Sequence, residues 1–167
     1  MQLSIDDILS KKVFDLPSAI CQLQEWQNKG EKIVFTNGVF DLIHIGHLSY
    51  LAEASKLGNK LVIGLNSNAS VSRLKGPDRP VNDQKSRVAL LSCLCFVDMV
   101  IIFDDNTPIK LITSILPDIL VKGADYSLEN IAGAKEVLAN GGEVKTIRFI
   151  EGYSSSLIIE KINRQNN

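Results

Sequence analysis

The sequence predicts a doubly wound α/β domain, a parallel sheet of five strands with helices on both faces. Three observations predict it. From Lys32 onward, short β-branched and other apolar runs alternate with segments of helical period. The segments between the runs are long enough for the right-handed crossovers that parallel pairing requires. Gly58, Pro117 and Asn140-Gly141-Gly142 stop the helices before the next run begins.

The elements follow in order. Leu16, Ala19, Ile20, Leu23 and Trp26 recur at helical spacing and Gly30 stops them. Residues 1–30 therefore read as a helical extension ahead of a main domain over 31–167. Ile33-Val34-Phe35 is the first buried strand. Leu48, Leu51, Ala52 and Ser55 mark the next helix face, and residues 61–65 the second strand. A polar loop with glycine and proline runs over 66–81, and Asn82 or Asp83 caps the helix after it. Residues 99–103 form the third strand. Thr107-Pro108 opens a helix, the threonine hydroxyl capping and the proline at the first helical position. Ile119-Leu120-Val121 is the fourth strand, 134–139 a short helix, 144–149 the fifth strand and 154–162 the last helix. A ligand of such a sheet lies beyond the carboxyl ends of the strands, at the topological switch point.

Composition narrows the function. The formal net charge of -1 and the pI near 6.1 exclude a basic surface that tracks nucleic acid, so any anion must be held locally. No apolar run is long enough to span a membrane, and residues 1–12 are too polar for a signal peptide. Neither nucleic acid nor membrane is an expected partner. Cys21, Cys93 and Cys95 are odd in number with apolar neighbours, which reads as small core residues in a reducing compartment. The expected location is the cytoplasm, and no protein-held metal site is expected.

The segment Thr36-Asn37-Gly38-Val39-Phe40-Asp41-Leu42-Ile43-His44-Ile45-Gly46-His47 leaves the first strand and opens the first long helix. It holds both histidines of the chain, three residues apart and so on one helical face. A helix start offers unbonded N–H groups and a positive dipole end to an anion. Gly46, lacking a Cβ, leaves room for a ligand against the backbone. Imidazole donors placed there can hold phosphate oxygens where charge grows during transfer.

His44-Ile45-Gly46-His47 in this setting resembles the signature of the HxGH nucleotidyltransferase superfamily, whose members adenylylate or cytidylylate phosphorylated substrates on a Rossmann-like fold. Within it the chain is similar to the heptose 1-phosphate adenylyltransferases. That likeness runs over residues 32–162. It is carried by Leu74-Lys75-Gly76 with Arg79-Pro80-Val81-Asn82, by Leu120-Val121-Lys122-Gly123-Ala124-Asp125-Tyr126, and by Ile131-Ala132-Gly133-Ala134-Lys135-Glu136-Val137 leading into Asn140-Gly141-Gly142-Glu143. The resemblance implies adenylyl transfer from ATP, with Mg²⁺, to a sugar 1-phosphate such as D-glycero-D-manno-heptose 1-phosphate, giving ADP-sugar and pyrophosphate. It also implies a homodimer. In bifunctional relatives a sugar kinase domain precedes this one, so the upstream kinase and phosphatase are expected to be separate proteins.

Roles follow from the same resemblance. His44, His47 and Lys75 are the expected catalytic residues. Thr36, Asn37, Gly38, Phe40 and Gly46 line the nucleotide at the first turn, with Arg87 from the helix after the basic loop. Lys122, Gly123, Asp125 and Tyr126 follow the fourth strand, where a base or ribose pocket is expected. Arg73 and Arg79 face triphosphate or substrate phosphate, and Asp41 is either an orienting or metal-linked carboxylate on the substrate side or a local cap. Glu151-Gly152-Tyr153-Ser154-Ser155-Ser156 is similar to the closing Ser/Thr-rich motif that grips the triphosphate tail, with Ser154 and Ser155 as its hydroxyls. Leu157 stands where many relatives carry lysine or asparagine. Two rival functions remain at this level: a cytidylyltransferase for glycerol 3-phosphate or a similar alcohol phosphate, and a nucleotide-binding sensor without turnover.

Overall fold

The computed structural model describes residues 4–124 and 130–165. Along the chain lie α1 (Ile5–Lys12), β1 (Val13–Phe14), α2 (Leu16–Asn28), β2 (Ile33–Gly38), α3 (Ile45–Ser55), β3 (Lys60–Asn66) and α4 (Asn68–Lys75). There follow α5 (Gln84–Ser92), β4 (Met99–Phe103), α6 (Ile109–Ile115), β5 (Ile119–Gly123), α7 (Ala134–Ala139), β6 (Glu143–Ile147) and α8 (Ser155–Gln165). The sheet has the order β1-β4-β3-β2-β5-β6 and every pair is parallel.

Successive strand residues point to opposite faces, and both faces are covered. Phe35, Val62, Ile101 and Leu120 face one layer, where Ala19 and Leu23 of α2 and Leu111 and Ile112 of α6 meet them. Val34, Ile63, Val100 and Val121 face the other, against Tyr50 and Leu51 of α3 and Val88 and Leu91 of α5.

Four details depart from the sequence expectations. The sheet has six strands rather than five, because Val13–Phe14 inside the N-terminal extension pairs with Val100 and Ile101 of β4. Two residues are too few to show a period. The expected loop over 66–81 contains α4, capped by Ser67, whose hydroxyl accepts from Ser70 N at 3.0 Å. At the start of α6, Pro108 itself occupies the cap position and makes no side-chain cap bond, so the Thr107 hydroxyl does not serve. Of the two candidate caps for α5, Asp83 accepts from Ser86 N at 2.7 Å. All three cysteines are exposed, because it is their apolar neighbours, such as Leu91 and Val97, that turn inward.

The switch point lies between β2 and β5. β3 and β4 extend the sheet on one side of β2, and β5 and β6 on the other. The β2–β3 ladder continues to Gly38–Leu65, whereas β2–β5 pairing is confined to Val34–Ile119 and Phe35–Leu120. Past Phe35 these two strands part, and a crevice opens at their carboxyl ends, as strand order dictates in open α/β sheets. Lys122 Nζ spans it, donating to Asn37 Oδ1.

Candidate active site

The turn from β2 into α3 is built around three rings, those of Phe40, His44 and His47. Phe40 is buried with a left-handed φ of 46°, a costly conformation for a non-glycine residue, and its ring lies 5.4 Å from that of His47. His44 takes the N-cap position of α3 but makes no side-chain cap bond. Its ring instead stacks on His47, with centroids 3.9 Å apart and planes 28° from parallel. Gly46 is what this stack requires. A Cβ there would lie 3.0 Å from the His44 ring and 3.4 Å from Tyr153 Cβ.

Burial pushes the His47 imidazole down to about 4, with the neighbouring His44 adding to the effect and a backbone contact with Leu42 opposing it. Burial also lowers His44. Both rings are therefore neutral at pH 7. The Nδ1 of each is enclosed without a hydrogen-bond partner. A linkage prediction follows. Because folded His47 holds its proton less tightly than the unfolded residue, stability is full above about 6.5 and is lost as pH falls from there through about 4. Denaturant midpoints across that range test it, and His47→Gln is expected to flatten the slope.

Two charged residues brace the site. The buried Asp41 carboxylate accepts from Arg79 Nε at 2.7 Å, Val81 N at 2.9 Å and Asn82 N at 2.8 Å. Burial alone would raise its carboxyl, but the Val81 and Asn82 N–H groups and Arg79 together hold it below the usual range. Asn82 Nδ2 returns a bond to Asp41 O at 2.7 Å. The pair thus pins the loop after α4 to the β2–α3 turn. Arg87 is 0% exposed and donates to Val39 O, Asn66 O, Asn82 O and Asn68 Oδ1 at 2.8–3.1 Å. Its guanidinium is solvated by the protein, joining four segments around the crevice.

A cleft of about 470 Å³ occupies the switch point. Of the residues expected from sequence, Asn37, Gly38, Phe40 and Asp41 line it from β2 and its turn, and His47 from α3. Lys75 and Arg79 line it from one side, and Lys122, Gly123 and Ser155 from the other. His44, stacked on His47, and Gly46, close to the His44 ring, are not part of the lining.

Several expected contacts lie elsewhere. Thr36 is fully buried, its Oγ1 2.8 Å from Tyr50 OH. Arg73 sits two residues from Lys75, so it points to another face of α4, and it binds Asn106 Oδ1 at 2.9 Å and Asp104. Arg87, expected at the nucleotide, is fully buried, with its guanidinium bonded to the surrounding loops. Ser154 caps α8, its hydroxyl accepting from Leu157 N at 3.1 Å, while Ser155 Oγ donates to Leu42 O at 3.1 Å. Asp125 and Tyr126 lie outside the described residues. Leu157 is exposed.

Sequence reasoning missed Val39, Tyr50, Asn66, Leu74 and Phe149, which complete the lining. For Asn66 a signal existed, since a polar residue closing a buried strand marks the ligand edge; Tyr50, on a helix face, gave none.

The starts of α3 and α8 meet here through the Ser155–Leu42 bond, so the positive ends of two helices border the cleft. Among the described residues no group of three His, Cys, Asp or Glu could hold a metal ion. No helix among them is long and apolar enough to cross a membrane.

A family model described as cytidylyltransferase-like matches residues 35–161. Among curated proteins, the chain is 54% identical over 138 residues to the bifunctional protein HldE of Cronobacter sakazakii, a match covering 83% of this chain and 29% of that protein. The chain thus spans just under a third of the length of the curated relatives it matches. Among solved structures, the lipopolysaccharide core biosynthesis protein from Thermoplasma volcanium GSS1 superposes with a TM-score of 0.58 at 34% identity, covering 75% of this chain and 100% of that one. The pantoate-beta-alanine ligase from Francisella tularensis, at 15% identity and a TM-score of 0.55, covers 92% of this chain and 77% of its own, a likeness of fold alone.

Proposed function

The chain belongs to the cytidylyltransferase-like family, that of the HxGH nucleotidyltransferases, and on that premise we propose that it transfers the adenylyl group of ATP to a sugar 1-phosphate. The acceptor we assign is D-glycero-D-manno-heptose 1-phosphate, the products ADP-heptose and pyrophosphate. The carrying observation is the stacked neutral pair His44–His47 at the start of α3, sharing one cleft with Lys75 and Lys122. The heptose assignment is supported by the segments around Lys122-Gly123 and Ile131-Ala132-Gly133 and by the similarity to HldE.

An oxygen of the acceptor phosphate, already anionic at neutral pH, attacks the α-phosphorus of ATP. The bond from that phosphorus to the bridging oxygen breaks, and pyrophosphate leaves with the oxygen and its electron pair. No proton has to be removed, so the protein's work is positioning and charge stabilisation. His47 donates to the phosphate oxygens gaining charge, and His44, stacked behind it, fixes the plane of that ring. Lys75 and Lys122 hold the triphosphate from opposite sides of the cleft, and the starts of α3 and α8 face it. Mg²⁺, when bound with ATP, would supply charge neutralisation of phosphate oxygens; the cleft lining offers one carboxylate, Asp41, whose oxygens are already taken by Arg79, Val81 and Asn82, so the ion would depend on the triphosphate and water for its ligands.

The test is pyrophosphate release from ATP and, in parallel, from CTP, across a panel of sugar 1-phosphates and glycerol 3-phosphate. Heptose 1-phosphate with ATP is expected to turn over fastest. ATP binding without release for any acceptor would favour a sensor. Gly46→Ala adds a geometric check: its Cβ displaces the His44 ring by a few tenths of an ångström, and kcat is expected to fall about tenfold. Thermal unfolding should move little, because alanine gains about 1 kcal/mol over glycine in a helix.

A further inference from the structure

Phe149 follows β6 on the connection to α8 and is 45% exposed on the wall of the cleft. Its ring stacks on Tyr50, centroids 4.9 Å apart and planes 29° from parallel. Tyr50 is 5% exposed and lies 2.8 Å through its hydroxyl from Thr36 Oγ1, so the backing ring is fixed to β2. One face of the phenyl is thus supported by a rigid aromatic while the residue stays open to the cleft. The rest of the lining on that side is polar: Lys122 and Ser155 suit phosphate oxygens.

Resting on the reading that a nucleotide occupies this cleft, we infer that Phe149, backed by Tyr50, is the stacking platform for the nucleobase. A nucleoside triphosphate has one polyanionic end and one flat heteroaromatic end. The lysines and helix starts account for the first, and a supported phenyl face matches the second. The acceptor sugar presents hydroxyls, which need hydrogen bonds that a phenyl cannot supply. A larger π surface gains more from such a platform, so it favours a purine over a pyrimidine and contributes to the choice of ATP over CTP.

Calorimetric titration of ATP, CTP and inorganic tripolyphosphate tests this, each with magnesium, against the wild-type chain, Phe149→Ala and Phe149→Leu. Both variants are expected to bind ATP about tenfold more weakly, a loss of about 1.4 kcal/mol. CTP should lose less, and tripolyphosphate should stay within about twofold because it has no base. Phe149→Leu keeps apolar bulk on Tyr50 and serves if the alanine variant unfolds. Equal losses for ATP and tripolyphosphate, unchanged ATP binding, wild-type ATP affinity in Phe149→Leu, or no ATP binding by the wild type would each overturn the platform. Pyrophosphate release is scored separately. A wild type that binds ATP and releases none defeats the transfer reading and leaves the platform to the titrations. A wild type that turns over while Phe149→Ala binds ATP normally defeats the platform alone.

Discussion

His47→Ala is expected to lower kcat by about a thousandfold, with a smaller change in the KM for ATP. The size follows from the place of the ring. His47 lines the cleft at the start of α3, where charge builds on the α-phosphate oxygens as the bridging bond lengthens. A donor aimed at developing charge acts on the transition state more than on bound substrate, so its loss appears in kcat. His44→Ala is expected to lose nearly as much, because the 3.9 Å stack with His47 is what fixes the partner ring. The two act as a unit, so the double variant should fall little below either single one. Initial rates of pyrophosphate release on variants with unchanged unfolding midpoints give the comparison. Near-normal turnover in both single variants would remove the pair from the reaction.

The second large effect is on stability. Arg87→Leu is expected to cost about 3–5 kcal/mol and to lower Tm by about 10 °C without any ligand present. Its guanidinium is fully buried and satisfies the carbonyls of Val39, Asn66 and Asn82 and the side chain of Asn68. Leucine fills part of the volume and leaves those buried acceptors without donors. Arg87→Lys should recover less than half of the loss, since a single ammonium cannot reach four acceptors in a planar fork. Thermal unfolding of the ligand-free chain measures this. An unchanged Tm together with lost ATP affinity would mean that Arg87 contacts the nucleotide after all.

The Arg87 case shows where sequence reading stops. What depends on near neighbours was legible: the apolar runs from β2 to β6, the Asp83 cap, the helix stops at Gly30 and Asn140, and the His44-x-Gly46-His47 spacing at a strand-to-helix turn. Periodicity and capping are local properties. Arg73, Lys75, Arg79 and Arg87, crowded around one loop and the helix after it, were all read from sequence as ligand contacts. Tertiary packing separates them: Lys75 lines the cleft, Arg79 does so while bonded to Asp41, Arg73 turns to Asp104, and Arg87 is enclosed. The same packing closes Thr36 beneath Tyr50 and places Phe149 against it. α4 escaped notice because Asn68–Lys75 buries only Ser70 and Val71, too little apolar pattern to announce a helix. Gly46 read in sequence as room for a ligand; the fold adds that a Cβ there would lie 3.0 Å from the His44 ring, a contact no local pattern announces.

The central claim is that the stacked imidazoles sit beside the bond that breaks. A crystal structure with magnesium and a nonhydrolysable α,β-methylene analogue of ATP tests it most directly. The account predicts an α-phosphate oxygen within hydrogen-bonding reach of His47 Nε2, about 2.6–3.2 Å. A triphosphate bound elsewhere, with its α-phosphorus out of reach of both rings, would contradict it.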